Sequence, residues 1–146
     1  MGSSLETFFH LIAEEKFSMK IDKELLDKLT EQAKASQRLR MNYDLRNSAE
    51  DRSQRMLNAL EPGTVMSVHR HMKSSETVVC IRGHFEEYFY DDNGVLIETI
   101  DMVPGGVVLN VPIGVWHSLK SLESGTVLLE CKDGRWEPLG EEEVMG

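Results

Sequence analysis

The feature that most constrains the fold is a series of short apolar segments between residues 55 and 132. The segments are rich in β-branched and aromatic residues, and Gly, Pro and Asn separate them at intervals typical of strands joined by tight turns. The clearest turn runs from Asp92 to Gly94, because Asn and Gly tolerate the positive φ of a tight hairpin. Eight short strands in this arrangement predict a mainly β barrel or jelly roll. The expected strands are 55–60, 64–71, 76–82, 84–91, 95–100, 106–111, 115–121 and 125–132.

The N-terminal part of the chain is expected to be helical. Asp22 is a suitable N-cap for a helix from Lys23 to Gln37. Residues 1–18 also carry apolar side chains at helical spacing, and the pattern fits either an extension or a dimer-contact helix. The length suits one compact core. We therefore expect an N-terminal extension at 1–20, a single domain at 21–140 and an acidic tail at 141–146. The expected inward residues of the second helix are Leu25, Leu29, Ala33 and Ser36.

Three of the five histidines follow a pattern that metal binding explains. His69 and His71 are two residues apart on an expected strand, so both imidazoles lie on one face. Glu76 opens the next expected strand, and a tight turn at 72–75 returns its carboxylate beside the two rings. His117 adds a third imidazole from a distant strand. Three imidazoles and one carboxylate suit divalent Fe, Mn, Co, Ni, Cu or Zn, and are too nitrogen-rich to favour Ca or Mg.

The spacing of these residues resembles the two sequence motifs of the cupin superfamily. The first motif is matched in full, and the second is matched except at its last position, where Ser121 replaces the usual Asn. The resemblance implies a cupin barrel with one or two N-terminal helices, in which the three histidines and the glutamate bind one metal ion. The matched residues are Gly63, His69, His71, Glu76 and Gly83, then Gly106, Pro112, Gly114 and His117.

An arginine-rich segment extends the resemblance to the WbuC-type family of cupin-fold metalloproteins. The similar stretches read SQRLRMN at residues 36–42 and DRSQRMLNALEPGT at residues 51–64, and the resemblance covers about residues 21–138. That family is associated with O-antigen and other surface-polysaccharide gene clusters. The resemblance therefore implies a link to polysaccharide precursors and, because cupins commonly pair through a barrel edge, a homodimer.

The same arginine-rich segment is a candidate binding site for an anion. Five of the eight arginines lie between residues 38 and 55. Arg38, Arg40 and Arg55 are the candidates, because guanidinium groups bind carboxylate or phosphate through two parallel hydrogen bonds. A solvated or salt-bridged surface strand explains the same residues equally well. The candidates for a catalytic acid or base are His84, Tyr88 and Glu130.

Composition excludes several other classes of protein. The formal net charge of −9 argues against nucleic acid as a partner, because binding phosphate backbones needs an excess of Lys and Arg. No apolar run approaches the length of a membrane span, and no secretory signal is apparent. The two cysteines lie in apolar stretches and do not form a disulfide framework. We expect a reduced, cytoplasmic protein without a membrane segment.

Three functions are consistent with these residues. The first is an enzyme, a metal-dependent isomerase or dioxygenase that acts on a small anionic or sugar-derived metabolite. The second is a non-catalytic module that binds a small ligand through the metal and the arginines. The third is a barrel stabilised by a closed, four-coordinate structural zinc. The number of open coordination positions on the ion separates the first function from the third.

Overall fold

Eight antiparallel strands dominate the fold in the computed structural model, which describes residues 18–146. The apolar pattern around residues 5–12 lies outside the described residues. The hairpin expected at Asp92 to Gly94 joins the fourth and fifth strands, and Gly94 has a φ of 80°. The strands are β1 (Arg40–Asp44), β2 (Ser53–Leu60), β3 (Glu76–Arg82), β4 (Phe85–Tyr90), β5 (Leu96–Met102), β6 (Leu109–Val111), β7 (Trp116–Ser121) and β8 (Thr126–Asp133).

The strands form two sheets, with the order β1-β2-β8-β3-β6 in one and β5-β4-β7 in the other. Alternate residues of each strand point between the sheets, as the period of two requires. The apolar side chains among these residues form the main core, and polar side chains lie at one end of the barrel. This arrangement confirms the mainly β, jelly-roll fold. The main core comprises Leu60, Val78, Cys80, Phe85, Phe89, Met102, Leu109, Val111 and Leu128.

One helix, α1 (Lys23–Ala35), packs on the outer face of the larger sheet. Its N-cap is Asp22, as predicted, and the Asp22 carboxylate accepts a hydrogen bond of 3.1 Å from the backbone N–H of Leu25. The helix ends two residues before Gln37. Leu29 and Ala33 are buried as predicted, but Leu26 and Thr30 are buried in place of Leu25 and Ser36, which are only half-buried. The buried residues of the helix are Leu26, Leu29, Thr30 and Ala33.

One strand prediction was wrong, and one strand was not predicted. The segment 64–71 is not a regular strand, and its His69 makes only isolated bridges to His117 and Val144. Conversely, β1 lies within the arginine-rich segment, where the sequence lacks an apolar alternation. This strand is at the edge of its sheet and pairs only with β2, so few of its side chains are buried.

The acidic C-terminal end, expected as a tail at 141–146, is mostly exposed but packs in part on the rest of the chain. A short 3-10 helix at Glu141–Glu143 packs against the segment that carries His69 and His71. The Glu143 carboxylate accepts a 2.9 Å hydrogen bond from the backbone N–H of Met72, and its carbonyl accepts one of 3.0 Å from the N–H of Arg70. Within residues 18–146, no helix is long and apolar enough to cross a membrane.

Candidate metal centre

The three predicted histidines converge between the two sheets. The ring nitrogens of His69, His71 and His117 that can act as ligands lie within 4.8 Å of one another. His69 reaches this position although it is not on a regular strand, because its backbone N–H and carbonyl both bond the backbone of His117, at 3.0 and 2.8 Å. His71 follows two residues later on the same face. The single β-bridge between His69 and His117 therefore keeps His69 and His71 on one face, as the strand prediction required.

The predicted carboxylate lies beside these rings. Glu76 is 4% exposed at the start of β3. One of its oxygens, Oε2, is 3.3 Å from His71 Nε2, and the other, Oε1, is 3.4 Å from His117 Nε2. The structure thus brings all four predicted metal ligands together.

Backbone carbonyls orient two of the imidazole rings. His69 Nδ1 is 2.9 Å from the carbonyl oxygen of Ser67, and His117 Nδ1 is 2.9 Å from that of Val115. A neutral ring that donates its Nδ1–H in this way has its lone pair on Nε2. Metal-binding histidines are commonly held by this kind of bond, which fixes the ring and its tautomer.

Several donor atoms at this place have no hydrogen-bond partner. Among the described residues, every buried side-chain nitrogen or oxygen without a partner belongs to His71, Glu76, Glu87 or His117. Leaving such a group unpaired costs about 1–3 kcal/mol, so one location with several of them requires an explanation. A cation provides one, because these lone pairs and carboxylate charges belong to two adjoining groups of possible ligand atoms that share His117. The donor set therefore fits a divalent transition metal ion.

Burial and neighbouring charges shift the pKa values of these groups. Burial, with a smaller contribution from the neighbouring His117, lowers the pKa of His69 to about 4, so the ring is neutral at pH 7. Burial opposes the ionisation of Glu76, but the adjacent His117 and His71 outweigh it and hold the pKa of the Glu76 carboxyl well below its usual range. Neutral imidazoles and an ionised carboxylate are the forms that bind metal.

A cavity of about 1110 Å³ opens beside the centre. Its volume is slightly above the usual range for small-molecule sites. Strands β2 and β8 supply one wall, where even-numbered residues face inward, and residues 134–139 supply part of the rim. Cationic side chains around the cavity are Arg38, Arg40, Arg52, Lys73, Lys132 and Arg135.

Two of the three predicted anion-binding arginines line the cavity, and the third does not. Arg38 and Arg40 line the cavity, and the Arg40 guanidinium contacts the sulfur of Met66 at 2.9 Å. Arg55 does not line it, because odd-numbered residues of β2 point to the opposite face of the sheet. There Arg55 Nη2 forms an ion pair of 3.0 Å with Asp51. Arg55 thus corresponds to the salt-bridged alternative.

One of the three candidates for a catalytic acid or base lines the cavity, and the other two do not. His84 lies outside the cavity and pairs with Asp101. Tyr88 points to the outer face of β4, where its hydroxyl donates a 3.0 Å hydrogen bond to Glu86. Only Glu130 lines the cavity, and burial followed by the nearby charge of Glu76 raises its pKa.

Two cavity residues were not anticipated from the sequence. Lys132 Nζ lies 3.8 Å from the Glu76 carboxylate and 3.6 Å from that of Glu130. Glu87 is 1% exposed, and burial followed by the charges of Glu76 and Glu130 raises its pKa well above the usual range. A signal for Glu87 was present, because it occupies the inward position between Phe85 and Phe89 in a strand of period two.

Comparison with solved structures agrees with this fold. KdgF from Halomonas sp. is 15% identical, with 66% of this chain and 82% of KdgF covered and a TM-score of 0.55. A sugar phosphate isomerase from a cupin superfamily, from Silicibacter pomeroyi, is 23% identical, with 64% and 59% covered and a TM-score of 0.52. The capsular polysaccharide assembling protein CapF from Staphylococcus aureus is 25% identical over 60% of this chain, with a TM-score of 0.50, and the aligned part is 24% of CapF.

The two facing sheets and these similarities show that the protein has a cupin fold, with a group of histidine and glutamate side chains suited to a metal ion. The chain belongs to the family described as domain of unknown function DUF6016, which matches residues 21–102. A search of curated proteins found no match.

Proposed function

We propose that this protein is a metal-dependent enzyme, an isomerase or oxygenase, that acts on a small anionic or sugar-derived metabolite. One divalent transition metal ion is held by His69, His71, Glu76 and His117. The observation that carries the proposal is the convergence of buried, unpartnered ligand atoms at the inner end of a large cavity. When bound, such an ion polarises a carbonyl or hydroxyl group of the substrate.

Two arginines of the cavity support an anionic substrate. The lining as a whole is not cationic, because six acidic side chains accompany its six cationic ones, so the support comes from Arg38 and Arg40 themselves. Arg38 and Arg40 reach the cavity from β1 and its preceding loop, whereas Lys132 lies close to the centre and pairs with Glu76. We expect the arginines to bind the anionic group and Glu130, at the cavity wall, to exchange a proton with the substrate.

The biological context is proposed from two resemblances. The arginine-rich stretches at residues 36–42 and 51–64 resemble WbuC-type proteins, which are associated with surface-polysaccharide gene clusters. CapF is likewise described as a capsular polysaccharide assembling protein. We therefore propose a cytoplasmic homodimer that acts on a sugar-derived precursor of a surface polysaccharide.

Metal analysis of the purified wild-type protein tests the centre. We expect about one transition metal ion per chain by elemental analysis, and X-ray absorption spectroscopy should show more than four ligand atoms, because an enzyme needs a position for its substrate. A saturated four-coordinate zinc would contradict the enzyme and favour a structural site. Absence of any bound metal after loading with Fe, Mn or Zn would refute the proposed centre.

The anion site is tested through Arg40. A screen of sugar phosphates and nucleotide sugars should identify a compound that raises the melting temperature of the metal-loaded protein. We expect Arg40→Ala to weaken the binding of that compound by roughly tenfold or more, since a hydrogen bond to a charged group contributes about 1.5–3 kcal/mol. The control is Arg55→Ala, because Arg55 is on the opposite face of the neighbouring strand. Equal effects of the two substitutions would argue against an anion site at Arg40.

A further inference from the structure

A second buried carboxylate faces the candidate metal centre. Glu87 is in the middle of β4, between the core residues Phe85 and Phe89, and only 1% of it is exposed. It belongs to neither cupin motif, and the four-ligand centre does not require it. A glutamate at a core position of this kind is rare unless something compensates its polarity.

Glu87 lies close to two of the proposed ligands. Ligand atoms of Glu76, Glu87 and His117 lie within 4.8 Å of one another, and all three residues are buried. His117 is also a member of the group formed with His69 and His71. The two groups therefore share His117, and Glu76 of the second group lies 3.3 Å from His71 of the first.

Both oxygens of Glu87 lack a hydrogen-bond partner. The buried lysine of this cavity wall does not supply one, because the ammonium group of Lys132 pairs with Glu76 and Glu130 instead. By this criterion Glu87 is equivalent to His71, Glu76 and His117, whose buried ligand atoms are unpartnered in the same way. The same cation that satisfies those atoms would satisfy Glu87.

We propose that Glu87 is a fifth protein ligand of the metal ion, so that the centre consists of three imidazoles and two carboxylates. This inference rests on the proposed metal centre and extends it. Two carboxylates balance the charge of a divalent ion, which makes its burial less costly. Added oxygen ligation favours Mn or Fe over a closed tetrahedral zinc, and leaves a six-coordinate ion one position for substrate rather than two.

The test is the isosteric substitution Glu87→Gln, with Glu130→Gln as the matched control. Glu130 is also a partly buried carboxylate that faces the cavity, but it is not in either group of ligand atoms. Each protein is stripped of metal and titrated with Mn(II) against a chelating competitor, and the Mn(II) signal is recorded by electron paramagnetic resonance. We expect Glu87→Gln to weaken Mn(II) binding at least tenfold and to change the spectrum, while Glu130→Gln leaves both close to wild type.

The outcomes separate this inference from the proposed function. Wild-type affinity and an unchanged spectrum in Glu87→Gln would overturn the fifth ligand but leave the four-ligand centre intact. Failure of the wild-type protein to bind Mn(II), Fe(II), Co(II) or Zn(II) would overturn both. If Glu87→Gln does not fold, as judged by circular dichroism, Glu87→Asp is used, because it keeps the carboxylate but shortens its reach and should weaken binding in the same direction.

Discussion

Replacing His117 by alanine is expected to reduce the metal content of the purified protein to less than about a tenth of the wild-type value. His117 is the only described residue common to both groups of candidate ligands, and the residue is 2% exposed. Its removal takes one ligand from the ion. It also removes the imidazole that lies 3.4 Å from Oε1 of Glu76. Loss of a ligand to a first-row metal exceeds the 10–100-fold typical of losing a supporting residue.

The control for this substitution is His84→Ala. Of the four histidines among residues 18–146, His84 is the one that does not line the cavity, and it pairs with Asp101 at the surface, so its loss should leave the metal content unchanged. Both variants are analysed by elemental analysis, and circular dichroism confirms that they are folded. Metal addition should raise the melting temperature of the wild type and of His84→Ala, because a ligand that binds only the native state stabilises it, but not that of His117→Ala. A full equivalent of metal in His117→Ala would contradict the proposed ligand set.

The ligand positions could be predicted because their constraints are local in sequence. His69 and His71 needed only two-residue alternation, and Glu76 needed only a short turn. Both requirements hold in the structure, even though 64–71 is not a regular strand. The pairing of His69 with His117 is a long-range contact, and only the motif spacing indicated it.

The surroundings of the centre could not be predicted in the same way, because they depend on which face of each strand turns inward. Arg40 and Arg55 belong to one basic segment, yet the former lines the cavity and the latter pairs with Asp51 on the other side. The number of arginines in the segment does not show which of them face the cavity. The register of β1 against β2 does, because it places Arg40 opposite Leu60, on the face of the sheet that Arg55 does not share. Glu87 was missed for a related reason: β4 was interpreted by its aromatic residues and not by its inward positions.

The departure from the second cupin motif also has a structural explanation. Ser121 occupies the position where that motif usually has Asn, and its side chain is buried. Its hydroxyl donates a hydrogen bond of 2.7 Å to the carbonyl oxygen of Leu60 at the end of β2. Ser121 therefore links the two sheets through this bond, and it is not among the residues that line the cavity.

Replacing Gly83, the last glycine of the first motif, by alanine is expected to have the largest effect on stability. Gly83 has a φ of 87°, and a Cβ there would lie 2.4 Å from Thr126 Oγ1 and 2.6 Å from Thr126 Cα. Thr126 cannot easily move, because its hydroxyl interacts with the backbone N–H of His84 at 3.1 Å and the carbonyl of Glu123 at 2.7 Å. Gly83→Ala therefore combines backbone strain with overpacking and should lower the free energy of unfolding by about 3–5 kcal/mol.

Gly105→Ala separates the two causes. Gly105 has a similar φ of 74°, but a Cβ there would meet no atom within 4 Å, so only the backbone strain of about 1–2 kcal/mol is expected. Urea unfolding of the metal-free proteins, followed by tryptophan fluorescence, measures both losses without a contribution from bound metal. A loss for Gly83→Ala that is no greater than that for Gly105→Ala would show that the contact with Thr126 is not tight. In that case the glycine of the motif would be required for its backbone conformation alone.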